Sequence, residues 1–243
     1  MGAVKSIFWI FWRELIAYFN TPIGYVFMAF FLLVTKAFYI SSVFVGNAAD
    51  MRGFFGLFPF FFLFFIPAIS MRLWSEERKL GTLEWLLTLP INAWHAVLGK
   101  YLAGLAFVAV MLIFSFDIPI FLKVYGNPDM GPIIGGYLGA MVLGMIYLAI
   151  GSFASSLTSD QIIAFVIAAS IGLIFFLMGY SPVLDWMKES LGANFTSKVQ
   201  LFGIDSHFES ISRGVVDTRD VLYALSISGV FLFLNYLVID RRR

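Results

Sequence analysis

The sequence predicts an all-α integral membrane protein with six transmembrane helices, and three observations carry that prediction. The 243 residues are 60% hydrophobic and only 13% charged, against about 25% charged in soluble domains. The apolar residues are gathered in six long runs, each able to supply the ~20 residues that cross a bilayer. The one dense knot of charge, Glu76-Glu77-Arg78-Lys79, falls between the second and third runs.

The first element is a surface helix. An apolar stretch from Ile7 to Trp12 is cut short by Arg13-Glu14, and no small-residue cleavage site follows. Residues 1–21 therefore read as an interfacial helix rather than a cleavable signal. Lys5, Ser6, Trp9 and Arg13 are spaced to share one face, with Ile7, Phe8, Phe11, Leu15 and Ile16 towards the other. Tryptophan and phenylalanine beside basic residues suit the headgroup boundary. Asn20-Thr-Pro22 ends this helix.

Six spans follow, at about 22–44, 54–74, 94–121, 132–156, 160–181 and 220–239. Span one carries Lys36, fourteen residues past Pro22, or ~21 Å along a helix. Asp117 lies near the outer end of span three. A charge at mid-membrane costs about 2.5–3.5 kcal/mol on insertion scales. Each residue thus needs a partner or a route to the headgroups. The alternatives are a Lys36–Asp117 pair, a polar lining for a substrate path, or two side chains that snorkel independently to the outer headgroups.

Span two holds eight of the 29 phenylalanines, between Phe54 and Phe65. Phe58, Phe60 to Phe62, Phe64 and Phe65 face either lipid or an aromatic path for an apolar cargo. Pro59 and Pro67 divide the span, as a hinge or as a static bend. Span four repeats small residues, with Gly131, Gly135 and Gly139 on one stripe and Gly136, Ala140 and Gly144 on the next. This period lets helices approach closely in lipid, within the chain or across a dimer seam.

Topology follows from Lys and Arg. With the N-terminus inside, the inner side holds nine (Lys5, Arg13, Arg72, Arg78, Lys79, Lys100, Arg241 to Arg243) and the outer side six. Both termini are expected in the cytoplasm. Segment 75–93 is then a charged cytoplasmic element and segment 182–219 a long external one, with an amphipathic piece from Val183 to Leu191. Asp217 or Thr218 caps the last helix. No linker or repeat divides the chain, so residues 1–243 read as one transmembrane domain.

The polar inventory narrows function. There is no cysteine, and the only histidines, His95 and His207, fall on opposite faces. Asp205, Glu209, Asp217 and Asp220 show no metal-ligand spacing. No nucleophile–base–acid set is visible, so no catalytic residue and no metal site are assigned. The net charge of +1 and the lack of a basic tract beyond Arg241 to Arg243 give no reason to expect nucleic acid. What remains is the 71–90 stretch. Gly81-Thr82 interrupts it, Glu84-Trp-Leu-Leu-Thr-Leu forms a short amphipathic turn, and Pro90 closes it. Surviving in lipid does not require such charge, and a charged helix at the membrane face suits docking of a soluble partner.

Three separated motifs carry a resemblance. They are Thr21-Pro-Ile-Gly-Tyr25, the stretch Pro67-Ala-Ile-Ser-Met-Arg-Leu-Trp-Ser-Glu-Glu-Arg-Lys-Leu-Gly-Thr-Leu-Glu-Trp-Leu-Leu-Thr-Leu-Pro90, and Phe208-Glu-Ser-Ile-Ser-Arg-Gly-Val-Val-Asp217. Together they resemble the type-two ABC exporter permeases, closest to the gliding-motility-associated branch. The resemblance implies a connecting helix at the membrane surface and a coupling helix after span two. It also implies an external segment that partly dips back into the membrane between spans five and six. It assigns Glu76, Glu77, Arg78, Gly81, Thr82 and Glu84 to the contact with a nucleotide-binding subunit, with Trp85 and Leu86 anchoring the helix.

The chain itself has no Gly-x-x-x-x-Gly-Lys-Ser/Thr phosphate loop. ATP and Mg would therefore be held by a separate ABC ATPase, present in two copies beneath two permeases, either identical or paralogous. A larger membrane protein with an external domain is a further partner of such relatives, and the expected location is the bacterial cytoplasmic membrane. The reading from another class is an ATP-independent carrier or a membrane anchor for a respiratory or assembly complex. Carriers, however, usually show intramembrane acids, broken helices and internal repeats, whereas this chain shows two marginal charges, Lys36 and Asp117, and no clear repeat.

Overall fold

The computed structural model describes residues 2–46, 51–88, 92–125, 128–212 and 217–242. These residues form fourteen helices and no strand. In chain order they are α1 (Ala3–Asn20), α2 (Pro22–Gly46), α3 (Arg52–Gly56), α4 (Phe58–Ser70), α5 (Arg72–Lys79), α6 (Thr82–Thr88) and α7 (Ala93–Ile113), followed by α8 (Asp117–Tyr125), α9 (Met130–Leu157), α10 (Gln161–Leu177), α11 (Ser181–Leu191), α12 (Ala193–Gln200), α13 (Ile204–Ser212) and α14 (Thr218–Asp240).

Five stretches are long and apolar enough to cross a membrane: Pro22–Ile40, Phe58–Lys79, Ala93–Val124, Met130–Leu157 and Thr218–Asp240. The expected fifth span, 160–181, is shorter than that. Its helix α10 ends at Leu177 and turns by 64° into α11, so the two form either one broken span or a re-entrant loop. Two other expected elements also differ. Span three is interrupted at 114–116, between α7 and α8. The charged stretch from Arg72 to Lys79 continues span two, with Met71 as the break, instead of starting a separate surface element.

Helix boundaries follow local chemistry. Asn92, Asp129, Asp160 and Asp217 each stand before a helix, and each side chain accepts a backbone N–H of its first turn. Asp217, rather than Thr218, is therefore the cap of α14. Pro59 occupies the first turn of α4, where a missing N–H costs nothing. Pro67 lies inside the helix, one turn before the Met71 break.

Helix α9 is the hub. It packs against α3, α4, α5, α7, α10, α13 and α14. Between lipid-solvated helices apolarity itself gives little drive, so association rests on close packing. The small residues of α9 provide it within this chain. Gly136 lies under the Phe55 ring, Gly139 against Ile211 and Phe208, and Gly144 against Val108. Gly131, at the helix start, is exposed.

The aromatic run splits by face. Phe58 and Phe62 are fully buried and Phe61 and Phe65 nearly so, whereas Phe60 and Phe64 are about half exposed. Neither lipid nor a path holds the buried four. Three of them interlock with Phe31 of α2, whose ring centroid lies 5.2–5.7 Å from those of Phe58, Phe62 and Phe65, and Phe61 meets Phe38 of the same helix at 5.7 Å. Such pairs contribute about 0.5–1.5 kcal/mol each beyond area burial. Otherwise α2 is lightly held, by the stripe Met28, Phe31, Thr35 and Tyr39.

Helix α1 lies along α7. The face it buries is Ser6, Ile10 and Tyr18, not either face expected from spacing alone. The reason is on α7, where Gly99 has no side chain and Ile10 fills the space. Phe8, Trp9, Trp12 and Ile16 point outward, the arrangement an interfacial helix needs.

Candidate functional site

The break at Met71 is held by the end of α9. The run Gly151-Ser-Phe-Ala-Ser-Ser156 is buried apart from Phe153. Gly151 leaves room for the Ser70 side chain. The Ser155 hydroxyl accepts the backbone N–H groups of Trp74 (3.0 Å) and Ser75 (3.1 Å) and donates to the Met71 carbonyl (2.6 Å). The Ser152 hydroxyl accepts from Trp74 Nε1 (3.2 Å) and Asn235 Nδ2 (2.7 Å). Arg78 donates to the Ser156 carbonyl at 2.9 Å. Five polar groups of the 71–78 stretch are thus satisfied by one helix end.

On its other side α5 meets α1 and α7 through ions. Lys100 is 1% exposed. Its ammonium donates to Glu14 Oε1 (3.0 Å) and the Leu73 carbonyl (2.8 Å) and pairs with Glu77 Oε1 at 3.0 Å. It also lies 5.0 Å from the Trp74 ring centroid, within cation–π range. Arg13 bridges the same carboxylates, Glu14 at 2.6 Å and Glu77 at 3.0 Å. Beside them Arg72 pairs with Glu76 (3.2 Å), donates to Thr21 Oγ1 (3.1 Å) and covers the Tyr18 ring. These groups line an open recess of about 270 Å³.

Two cations, Lys100 and Arg13, shared between two carboxylates leave little net charge to desolvate, so the cluster is sustainable in an apolar bundle. Burial alone would raise the Glu14 carboxyl. The charge of Lys100, with the hydrogen bond and charge of Arg13, outweighs burial and holds it below its ordinary 4.5. A depressed carboxylate stabilises the fold above its unfolded value, and that stabilisation is lost as pH falls through the folded value. The expected result is that Glu14→Gln lowers the thermal midpoint in mild detergent at pH 7. The gap to wild type should close as pH drops below 4.5. A gap that stays constant with pH would mean that the Glu14 charge contributes nothing.

Beyond α5 the chain turns at Gly81, which takes φ +71°, a conformation that favours glycine. Helix α6 then buries Leu83 and Leu86 but leaves Trp85 80% exposed, and Leu80, just before the turn, is 69% exposed. Of the six residues assigned to partner contact, Gly81, Thr82 and Glu84 are exposed, although Thr82 also donates to the Glu77 carbonyl. Glu76, Glu77 and Arg78 are half-buried and engaged within the chain. Spacing could not distinguish these two sets. Nor did it single out Glu14, Lys100, Ser152 or Ser155. The available signal was a lysine placed within an apolar run, and three serines at a helix end.

Elsewhere Lys36 Nζ and Asp117 Oδ2 are 2.7 Å apart, with Asp117 60% exposed at the start of α8. His95 begins α7 and His207 lies on α13. His207 is more embedded than a surface residue: it meets Asp220 at 2.7 Å and stacks on Tyr223 at 4.0 Å. Among the described residues no three ligating side chains converge on a metal position. Pro90 and residues 213–216 lie outside the described residues.

A bundle of five or six apolar helices, with one spanning helix prolonged into an ion-bound, serine-clamped extension, defines a polytopic membrane protein with a built connection between its bundle and its surface. Residues 53–239 match the ABC-2 family transporter proteins, and the chain belongs to that family. No curated protein matches it. The chain is thus the permease, or transmembrane subunit, of an ABC transporter, and its family works with an ABC ATPase.

Proposed function

We propose that this chain forms the translocation path of a bacterial ABC exporter as a dimer, with a second copy or a paralogue. Two separate ATPase subunits, holding ATP and Mg, dock on residues 75–90. The observation that carries this reading is α6, a helix that buries two leucines and displays Glu84 and Trp85 beyond a glycine turn, with Leu80 exposed just before that turn. Large exposed aromatics beside a charge suit a partner interface. In this reading Gly81, Thr82 and Glu84 touch the ATPase. Glu76, Glu77 and Arg78 carry its movement inward, to α1, α7 and α9. Pro67 is the hinge, since its missing N–H weakens α4 next to the Met71 break. The Lys36–Asp117 pair ties α2 to α8. The termini face the cytoplasm, the segment between spans five and six faces outward, and residues 1–243 act as one domain. The chain itself binds no cofactor. Its gliding-type motifs favour a larger membrane partner with an external domain.

The test is a mild-detergent pull-down of the tagged chain from its native membrane, with mass spectrometry and an ATPase assay. Wild type is expected to bring down an ABC ATPase in equal amount, with vanadate-sensitive activity. E84K/W85A should lose it while keeping its thermal midpoint, because neither side chain is buried. A chain recovered alone, or with redox proteins, would replace the transporter reading by that of a carrier or an anchor.

A further inference from the structure

The two sides of α5 treat their cations differently. On the α1–α7 side Arg13, Arg72 and Lys100 all meet carboxylates. On the far side an open recess of about 470 Å³ is lined by Arg78, Gly81, Leu83, Glu84, Ser159 and Arg242. It brings together the α5–α6 turn, the α9–α10 connection and the residues after α14. Among the described residues neither Arg78 nor Arg242 has an ion-pair partner. Arg78 spends one donor on the Ser156 carbonyl, which fixes its position. A guanidinium has five N–H donors in a planar fork, so most of its capacity stays open. Arg242 is exposed.

Resting on the docking reading above, the geometry points to this recess as the seat for a carboxylate side chain of the ATPase, clamped between Arg78 and Arg242. Two guanidiniums around one carboxylate give directional, charge-assisted hydrogen bonds, the kind that fix register at an interface. Arg242 enters the docking surface although it lies over 150 residues from α6 in the sequence. Glu84 in the same recess argues for a protein partner over an anionic lipid surface. A partner with mixed charge can answer Glu84 with a cation, whereas a sheet of phosphates would only repel it.

The experiment uses the permease–ATPase complex from native membranes. In R242K a carbodiimide can couple the introduced amine to a neighbouring carboxylate. The expected result is a zero-length cross-link from position 242 to an aspartate or glutamate of the copurified ABC ATPase, mapped by mass spectrometry. R242E, which disturbs no contact of the fold, should reduce the copurified ATPase about tenfold or more, since like charges then face each other. K5E, at an exposed lysine of α1 outside residues 75–90, serves as the control for a mere loss of positive charge on the cytoplasmic side and should have less effect. If wild type and R242E retain the ATPase equally and no cross-link forms, the carboxylate seat is overturned while the transporter reading stands. Depletion of anionic phospholipid from purified R242E, with ATPase retention unchanged, would overturn it in favour of a lipid site. If wild type retains no ATPase, the docking reading fails first, and the seat with it.

Discussion

Replacing Lys100 by methionine is expected to destabilise the fold by about 3–5 kcal/mol, the usual cost of removing one partner from a buried ionic cluster. Methionine preserves most of the volume, so the loss is electrostatic rather than a cavity. Lys100 is 1% exposed, and its ammonium serves Glu14, Glu77 and the Leu73 carbonyl. Without it the two carboxylates keep only Arg13, which is 52% exposed and screened by solvent. Glu77 Oε2 already lacks a hydrogen-bond partner, so the cluster has no spare donor to offer. The thermal midpoint in mild detergent should fall markedly for K100M and recover largely for the neutral triple variant E14Q/E77Q/K100M. Replacing a whole buried network by neutral groups is often tolerated, whereas breaking it is not. A K100M midpoint equal to wild type would show that Arg13 alone holds α5 to α1.

Gly24→Ala is the second large effect, and its sign runs against helix propensity. In an open helical position alanine is better than glycine by roughly 0.8–1.0 kcal/mol. At Gly24, inside α2, the added methyl would collide with the backbone carbonyl of Tyr18 on α1. A carbonyl cannot rotate away as a side-chain tip can. The α1–α2 turn must open, at the upper end of the ~1–3 kcal/mol typical of overpacking. Gly229 on α14 meets nothing within 4 Å, so G229A is the matched control and should be neutral or stabilising. Thermal unfolding of the two variants side by side decides it. A G24A protein as stable as G229A would mean that α1 and α2 do not approach so closely. The same collision accounts for the glycine in Thr21-Pro-Ile-Gly-Tyr25. Thr21 donates back to α1 and receives Arg72 from α5, and Gly24 lets α2 start within contact of α1.

Both variants probe the surface between α1, α2, α5 and α7, where the sequence was least transparent. Lys100 counted simply as a positive charge on one side of the membrane, and Glu14 as the residue that cut an apolar run short. Neither had a visible partner, because the pairing spans 86 residues. Glu76, Glu77 and Arg78 formed a conspicuous group, yet a helix distributes consecutive residues around its axis. Glu77 therefore turned to Lys100 and Arg78 spent one donor on α9, while Gly81, Thr82 and Glu84 stayed exposed.

By itself the sequence determined the class of the molecule, most of its spans, the glycine turn at 81 and a cap for the last helix at Asp217 or Thr218, of which the structure chose Asp217. These follow from local quantities: bilayer thickness set against apolar run length, the steric freedom of glycine, and the reach of a carboxylate to the next turn's N–H. The tertiary structure decided which charges are internal, which phenylalanines are core, and which side of α9 each glycine serves. Those depend on which helix lies opposite. In lipid the choice is made by shape and by polar groups left to satisfy, and neither can be read from one helix at a time.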